Sequence, residues 1–239
     1  MKKIILASLL LTSASFAQTT KTIENDKGFI GVSAGASQPT GDFGDQDFYS
    51  NSSGLAQRGY VADVNFGHRL TEHFGVIVLF RYQENNVDAT AIAKSLHKES
   101  PDWGWKVKTQ GWKIIGSMAG GFATFQLGKS KLRMDVKGAV GLISATSPQI
   151  KITGNNGSDN IVLTTFSKSA SSFAYSCGIG LRWNFSKVVG LNLNFDYMGS
   201  NPEFKNVKTS MTGSDTEYDT YNQSIGSMNS TVGIVFRLK

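Results

Sequence analysis

Between Leu132 and Leu142 large apolar residues return at every second position, and this period of two constrains the chain more than any other feature. Leu132, Met134, Val136, Val140 and Leu142 share one face, with Gly138 among them, while Arg133, Asp135 and Lys137 lie on the other. Successive side chains point to opposite sides only in extended backbone, so this stretch reads as a strand. Phe173 to Phe185 repeats the pattern, with Phe173, Tyr175, Cys177, Ile179, Leu181, Trp183 and Phe185 opposing Ser172, Ala174, Ser176, Gly178, Gly180, Arg182 and Asn184. In Val189 to Tyr197, Val189, Leu191, Leu193, Phe195 and Tyr197 oppose Gly190, Asn192, Asn194 and Asp196. The chain ends the same way, with Val232, Ile234, Phe236 and Leu238 against Thr231, Gly233 and Arg237, and Val235 the exception.

Three earlier stretches alternate less sharply: Ile30 to Ala36, Tyr60 to Gly67 with Asp63 and Asn65 on the polar side, and Gly75 to Tyr82 with Arg81. In the last of these Ile77 and Leu79 intrude on the polar face. Gly111 to Leu127 is the least regular. There Trp112, Ile114 and Met118 alternate with Lys113, Ser117 and Ala119, and Phe125 breaks the parity, which predicts a bulge at Gly120-Gly121. The total is eight strands.

Alternation fits a soluble sandwich or carrier barrel with the apolar face inward, and equally an outer-membrane barrel with that face in lipid. Three observations select the second. The polar faces hold mostly Gly, Ser, Ala and Asn, with single charges at Asp63, Arg81, Lys113, Arg133, Asp135, Lys137, Arg182, Asp196 and Arg237. Scattered charges of both signs suit a narrow interior where they can pair, whereas each Arg or Lys facing lipid at the midplane would cost roughly 2–4 kcal/mol. The predicted interior charge network is therefore Asp63, Arg81, Arg133, Asp135, Lys137, Arg182, Asp196 and Arg237.

The second observation is loop sorting. The links at His68 to His73, Gly128 to Lys131 and Ser186 to Val188 are short. Those at Gln38 to Arg58, Glu84 to Gln110, Ser144 to Ser171 and Gly199 to Ser224 are long. Short turns at one end and long loops at the other mark bacterial barrels, with the short side periplasmic. The third is aromatic placement: Tyr60, Phe66, Phe74, Tyr82, Trp112, Phe173, Trp183, Phe185, Phe195, Tyr197 and Phe236 gather toward strand ends, as expected of two interfacial girdles.

The N-terminus carries an address. Met1-Lys2-Lys3 is basic, Ile4 to Leu11 is apolar but too short to span a bilayer, and Ala14-Ser15-Phe16-Ala17 supplies small residues for cleavage. Residues 1–17 are thus expected to be a signal peptide, 18–27 a short periplasmic segment and 28–239 the barrel, exported and inserted in the outer membrane. The formal charge of +6 falls to +4 once Lys2 and Lys3 leave with the signal, too small a footprint for nucleic acid, and the single cysteine excludes a disulfide framework.

In pattern, the whole chain after the signal resembles the small eight-stranded outer-membrane barrels of the OmpX and OmpW kind. The most specific part is the terminal strand, where Thr231, Gly233, Phe236 and Leu238 resemble the signal read by the barrel-assembly machinery, although the chain runs one residue further, to Lys239. The resemblance implies an all-β, antiparallel up-and-down barrel with long extracellular loops. The implied partners are outer-membrane lipid, lipopolysaccharide and the assembly machinery.

Candidate chemistry is sparse. His68 and His73 fall at the short-turn end, and His97 lies in a long loop near Ser95, Ser100, Glu99 and Asp102. Asp42, Asp45 and Asp47 lack the spacing and the distant Glu of a calcium loop, and Glu203, Asp215, Glu217 and Asp219 make another loop acidic. Bridging of divalent cations to lipopolysaccharide phosphate is one use for such loops. Cys177 is expected to face lipid, and Ile150, Ile152, Ile161 and Leu163 to prolong two strands as a hairpin around Gly154 to Ser158. The expected function is that of a monomeric, non-enzymatic outer-membrane protein without cofactor or metal. It binds a surface ligand of unknown identity through its loops or supports the envelope. A porin-like or OmpW-like conduit for small or apolar molecules is the alternative.

Overall fold

The computed structural model describes residues 27–128 and 131–238. The expected signal peptide, residues 18–26 of the expected periplasmic segment, and Lys239 lie outside the described residues. Among the described residues the elements follow in the order β1 (Gly28–Thr40), β2 (Ala56–Arg69), β3 (Phe74–Val87), α1 (Ala89–Glu99), β4 (Gly104–Thr109), β5 (Trp112–Gln126) and β6 (Leu132–Thr146). They continue with β7 (Ile150–Asn155), β8 (Asn160–Thr165), β9 (Ser169–Trp183), β10 (Val189–Ser200), β11 (Glu203–Met211), β12 (Glu217–Asn222) and β13 (Ile225–Leu238).

Eight of these strands close on one another in the order β1-β13-β10-β9-β6-β5-β3-β2, each antiparallel to its neighbours. Closure leaves no free edge, so every backbone group that meets lipid has a partner inside the sheet. A walk around the barrel from Gly28 passes His68, Val76, Gly121, Gly138, Cys177, Tyr197 and Met228, and returns to β1 at Gln38. That offset of ten residues, at roughly 3.3 Å per residue and about 4.8 Å between strands, tilts the strands by roughly 40°. The barrel is therefore narrow enough for side chains to fill it.

Apolar residues face outward along most strands. Val32, Phe66, Val78, Phe80, Val136, Val140, Leu142, Ile179, Leu193, Val232, Ile234 and Phe236 are all exposed on the outer wall. In water such a wall would be an aggregation surface; in a bilayer it is the lipid contact. Cys177 is exposed on the same wall. Tyr60 and Tyr82, 5.9 Å apart, and Tyr175 and Tyr197, 6.1 Å apart, mark the end carrying the long loops. Phe74, Trp183, Phe185 and Phe236 mark the other.

β5 departs from the sequence expectation. It pairs with β3 and β6 without any register shift, so there is no bulge at Gly120-Gly121. Its apolar residues face inward instead: Trp112 is 3% exposed, Ile114 0% and Met118 2%, while Ile115 is 60% exposed. Phe125 thus keeps parity with Ile115, Ser117 and Ala119 on the outer wall. Trp112 is no part of a girdle, and Lys113 faces outward rather than into the lumen. Hydrophobicity misidentifies the face because β5 has bulky interior residues and small exterior ones, the reverse of its neighbours.

The long connections are also more ordered than loops. Five segments from them, in the order β12-β11-β8-β7-β4, form a second sheet beyond the barrel mouth. The expected hairpin is present as β7 and β8, with Ile152 opposite Leu163, but it forms the middle of this sheet rather than prolonging barrel strands.

Candidate functional site

Inside the barrel, β2 and β3 place Asp63 directly opposite Arg81. Arg81 Nε and Nη2 donate to the two carboxylate oxygens of Asp63, each at 2.8 Å. Its Nη1 and Nη2 also donate across the lumen to Asp196 on β10, at 2.8 and 3.0 Å. One guanidinium thus ties two walls together, a use for which its planar fork of donors is suited. A Cβ on Gly178 would stand 2.5 Å from that of Asp196, so the cross-strand glycine makes room for the carboxylate.

Lower in the lumen Arg182 bonds Asp135, which also accepts from Thr124 Oγ1 at 2.6 Å. Lys137 donates to Asn194 at 2.8 Å. Arg133 is buried cross-strand from Arg182, and Arg237 donates to the Ser186 carbonyl at 2.7 Å. The eight predicted residues therefore all point inward, and Arg81, Asp63 and Asp196 form one cluster. Arg182 and Asp135 form a second.

Sequence reasoning missed the two apolar seals. Toward the short turns, Phe29, Ile77, Phe122 and Val235 form a buried cluster, with Phe29 and Phe122 edge to face at 5.5 Å. The Arg182 guanidinium lies 4.0 Å from the Phe29 ring centre. A Cβ on Gly67 would stand 2.3 Å from the Phe29 ring, and one on Gly75 would stand 2.5 Å from the Phe122 ring. Those two glycines let the rings lie flat on the inner wall. The intrusion at Ile77 and the exception at Val235 were the visible signal.

At the other end an aromatic series runs from the mouth into the second sheet. Phe43 meets Trp112 at 5.6 Å, Trp112 meets Phe204 at 5.7 Å, and Phe204 stacks on Tyr221 at 5.3 Å. Trp112 Nε1 donates to the Gly54 carbonyl at 2.8 Å, which satisfies its one polar atom. Ile92, Ile152 and Val207 join the same core, and burial pushes the Tyr221 phenol above its usual range. Two interior cavities, one beside the Phe29–Phe122 seal and one beside Arg81 and Asp196, hold about 20 Å³ each, room for a water molecule.

The residues weighed for chemistry are not gathered. His97 is exposed near the end of α1, and the Ser95 carbonyl accepts from Tyr49 Oη at 3.3 Å. His73 stacks on Phe125 at the short-turn end. Asp45 and Asp47 accept backbone N–H bonds from Asp47 and Tyr49 at 3.2 and 3.0 Å, so they fold their own loop. Among the described residues no group of three His, Cys, Asp or Glu could hold a metal ion. In the terminal strand Thr231 and Gly233 face inward while Phe236 and Leu238 face lipid.

The pattern of the outer membrane protein beta-barrel domain matches residues 4–228. The chain belongs to that family. This outer-membrane barrel crosses its bilayer with eight strands, and its polar lumen and greasy wall are those of an integral outer-membrane protein. Among curated proteins none matches the sequence. Among solved structures, a major outer membrane protein from Thermus thermophilus is similar with TM-score 0.51 and 10% identity, over 88% of this chain and 99% of that one. Ail, the attachment invasion locus protein of Yersinia pestis, gives TM-score 0.44 and 16% identity over 88% and 99%. The outer membrane protease OmpT from Escherichia coli gives 0.45 and 8% over 92% and 100%. At such identities the likeness is one of fold.

Proposed function

We propose that this barrel is a non-enzymatic membrane scaffold whose working surface is its extracellular cap, binding a surface partner or reinforcing the envelope. One observation carries the reading: Arg81, Asp63 and Asp196 bridge the lumen at mid-height and an apolar cluster fills it toward each end, while the chain builds a second sheet beyond the mouth whose apolar face continues the upper barrel core. A conduit would need an open lumen, and the cavities of about 20 Å³ do not provide one. Rigid barrels commonly carry their functions on the loops they hold in place.

Replacing residues 89–110, 147–168 and 201–224 by tight turns tests this directly. The trimmed barrel should still insert and migrate heat-modifiably, yet leave cells with the same envelope or attachment defect as cells lacking the protein. Full restoration of function by the trimmed barrel would contradict the reading.

A further inference from the structure

The second sheet has two unlike faces. Ile152, Phe204 and Val207 point into the core that begins at the barrel mouth, so the opposite face looks away from the barrel axis. On that outer face Lys106 lies opposite Thr153 and Lys108 opposite Lys151, and Lys151 in turn is opposite Thr164. Thr164 lies opposite Ser210, two residues from Lys208 on the same face. Lys106, Lys108, Lys151 and Lys208 are all exposed. Along β4, β7 and β8 this face carries no carboxylate, and the one at the start of β11, Glu203, is taken by Lys205 at 2.8 Å.

Like charges directly opposite on neighbouring strands destabilise a sheet. Among the described residues no carboxylate pairs with Lys108 or Lys151, so this facing pair is a local cost, the kind of conflict that functional surfaces retain. The strip also has a lower end. On the barrel wall beneath it the last greasy residues are Ile115, Leu142 and Phe173. Above them comes Ser144 opposite Ser171, then Lys113 opposite Thr146. Thr146 is in turn opposite Ser169, and their hydroxyls lie 2.8 Å apart. Lys113 is balanced by Glu84 across the strand pair. Lys108 lies five residues before Lys113, at most roughly 17 Å further out at about 3.3 Å per residue. The polar track starts where the exposed greasy residues of the wall end and becomes basic further out along the second sheet.

We infer that this track is a docking surface for the phosphorylated headgroup of an outer-leaflet glycolipid standing against the β5–β6–β9 wall. Phosphates would neutralise Lys106, Lys108 and Lys151 together, and the Ser and Thr hydroxyls between them would bond phosphate or sugar oxygens. Continuity with the lipid-facing wall favours a lipid of the same membrane over a soluble polyanion. The inference rests on the reading of the cap as the working surface and gives that surface a partner class.

The test uses the refolded full-length protein and purified lipopolysaccharide, intact or enzymatically dephosphorylated. A lysine beside an anionic lipid surface contributes about fivefold in affinity, so the triple substitution Lys106→Gln, Lys108→Gln, Lys151→Gln should weaken binding on the order of 100-fold. Dephosphorylation should weaken wild-type binding similarly, and Lys94→Gln with Lys98→Gln on α1 should change little. Heat-modifiable migration checks that each variant is folded. Lys108→Glu supplies a second readout: it should raise amide protection of β4 and β7 while lowering affinity. A folded triple variant that binds within about twofold of wild type would overturn the lysine face, as would equal binding of dephosphorylated lipid or preferential binding of soluble heparin. None of these results would restore the trimmed barrel's function, so the wider reading is judged separately.

Discussion

Arg81 holds Asp196 across the full width of the lumen through two hydrogen bonds of 2.8 and 3.0 Å, although 115 positions separate them in the chain. Its other donors are spent on Asp63, its cross-strand neighbour. Around this contact the polar wall continues upward by hydrogen bonds from Asn229 to Asp196 and from Ser227 to Gln83.

Removing the cation alone should be costly. Arg81→Leu leaves two buried carboxylates facing each other, and losing one partner of a buried ion pair costs roughly 3–5 kcal/mol. Urea unfolding in detergent micelles should show that loss. Adding Asp63→Asn and Asp196→Asn to Arg81→Leu should recover most of it, because the remaining groups are neutral.

The face assignment of β5 can be checked with spin labels at adjacent positions. A label at Ala119→Cys should be relaxed by oxygen dissolved in lipid, and one at Met118→Cys should not. The wild-type cysteine, itself on the lipid wall, is first replaced by Cys177→Ser. The opposite order of accessibility would reinstate apolar-outward packing for this strand.

Sequence alternation made the eight barrel strands and the short-turn end legible, because period two survives whatever the residues face. It did not say which face of β5 is inside, since there Ile114 and Met118 fill the lumen while Ala119 and Gly121 meet lipid. The charged interior residues were legible by type. Their pairing was not, because bringing Asp196 to Arg81 requires the barrel to close. The cap was hidden for a different reason: β4, β7, β8 and β12 are six residues each, too short for a secure periodic signal. Ile150, Ile152, Ile161 and Leu163 gave a hint of it.

The cap should loosen before the barrel strands do. Phe204 is fully buried between Trp112 and Tyr221, so Phe204→Ala should cost roughly 3–5 kcal/mol. Hydrogen exchange should show lost protection in β4, β7, β8 and β11, while amides of β1, β9 and β13 keep theirs and migration on a gel remains heat-modifiable.

The lower seal predicts a graded effect. Phe29→Ala removes one ring of the Phe29–Phe122 pair and uncovers Gly67, and it should destabilise the barrel by roughly 3–5 kcal/mol. Refolded Phe29→Ala protein should also exchange amides of β2 near Gly67 faster than wild type.

The central claim is a closed lumen beneath a functional cap, and single-channel recording in planar bilayers addresses it most directly. The wild-type barrel should give no steady openings under an applied voltage. Arg81→Ala with Phe29→Ala and Phe122→Ala, which removes the mid-height tie and the lower seal, should give at most brief flickers while the upper aromatic seal stands. Stable, ion-conducting openings by the wild-type protein would contradict the account and make the conduit its working part.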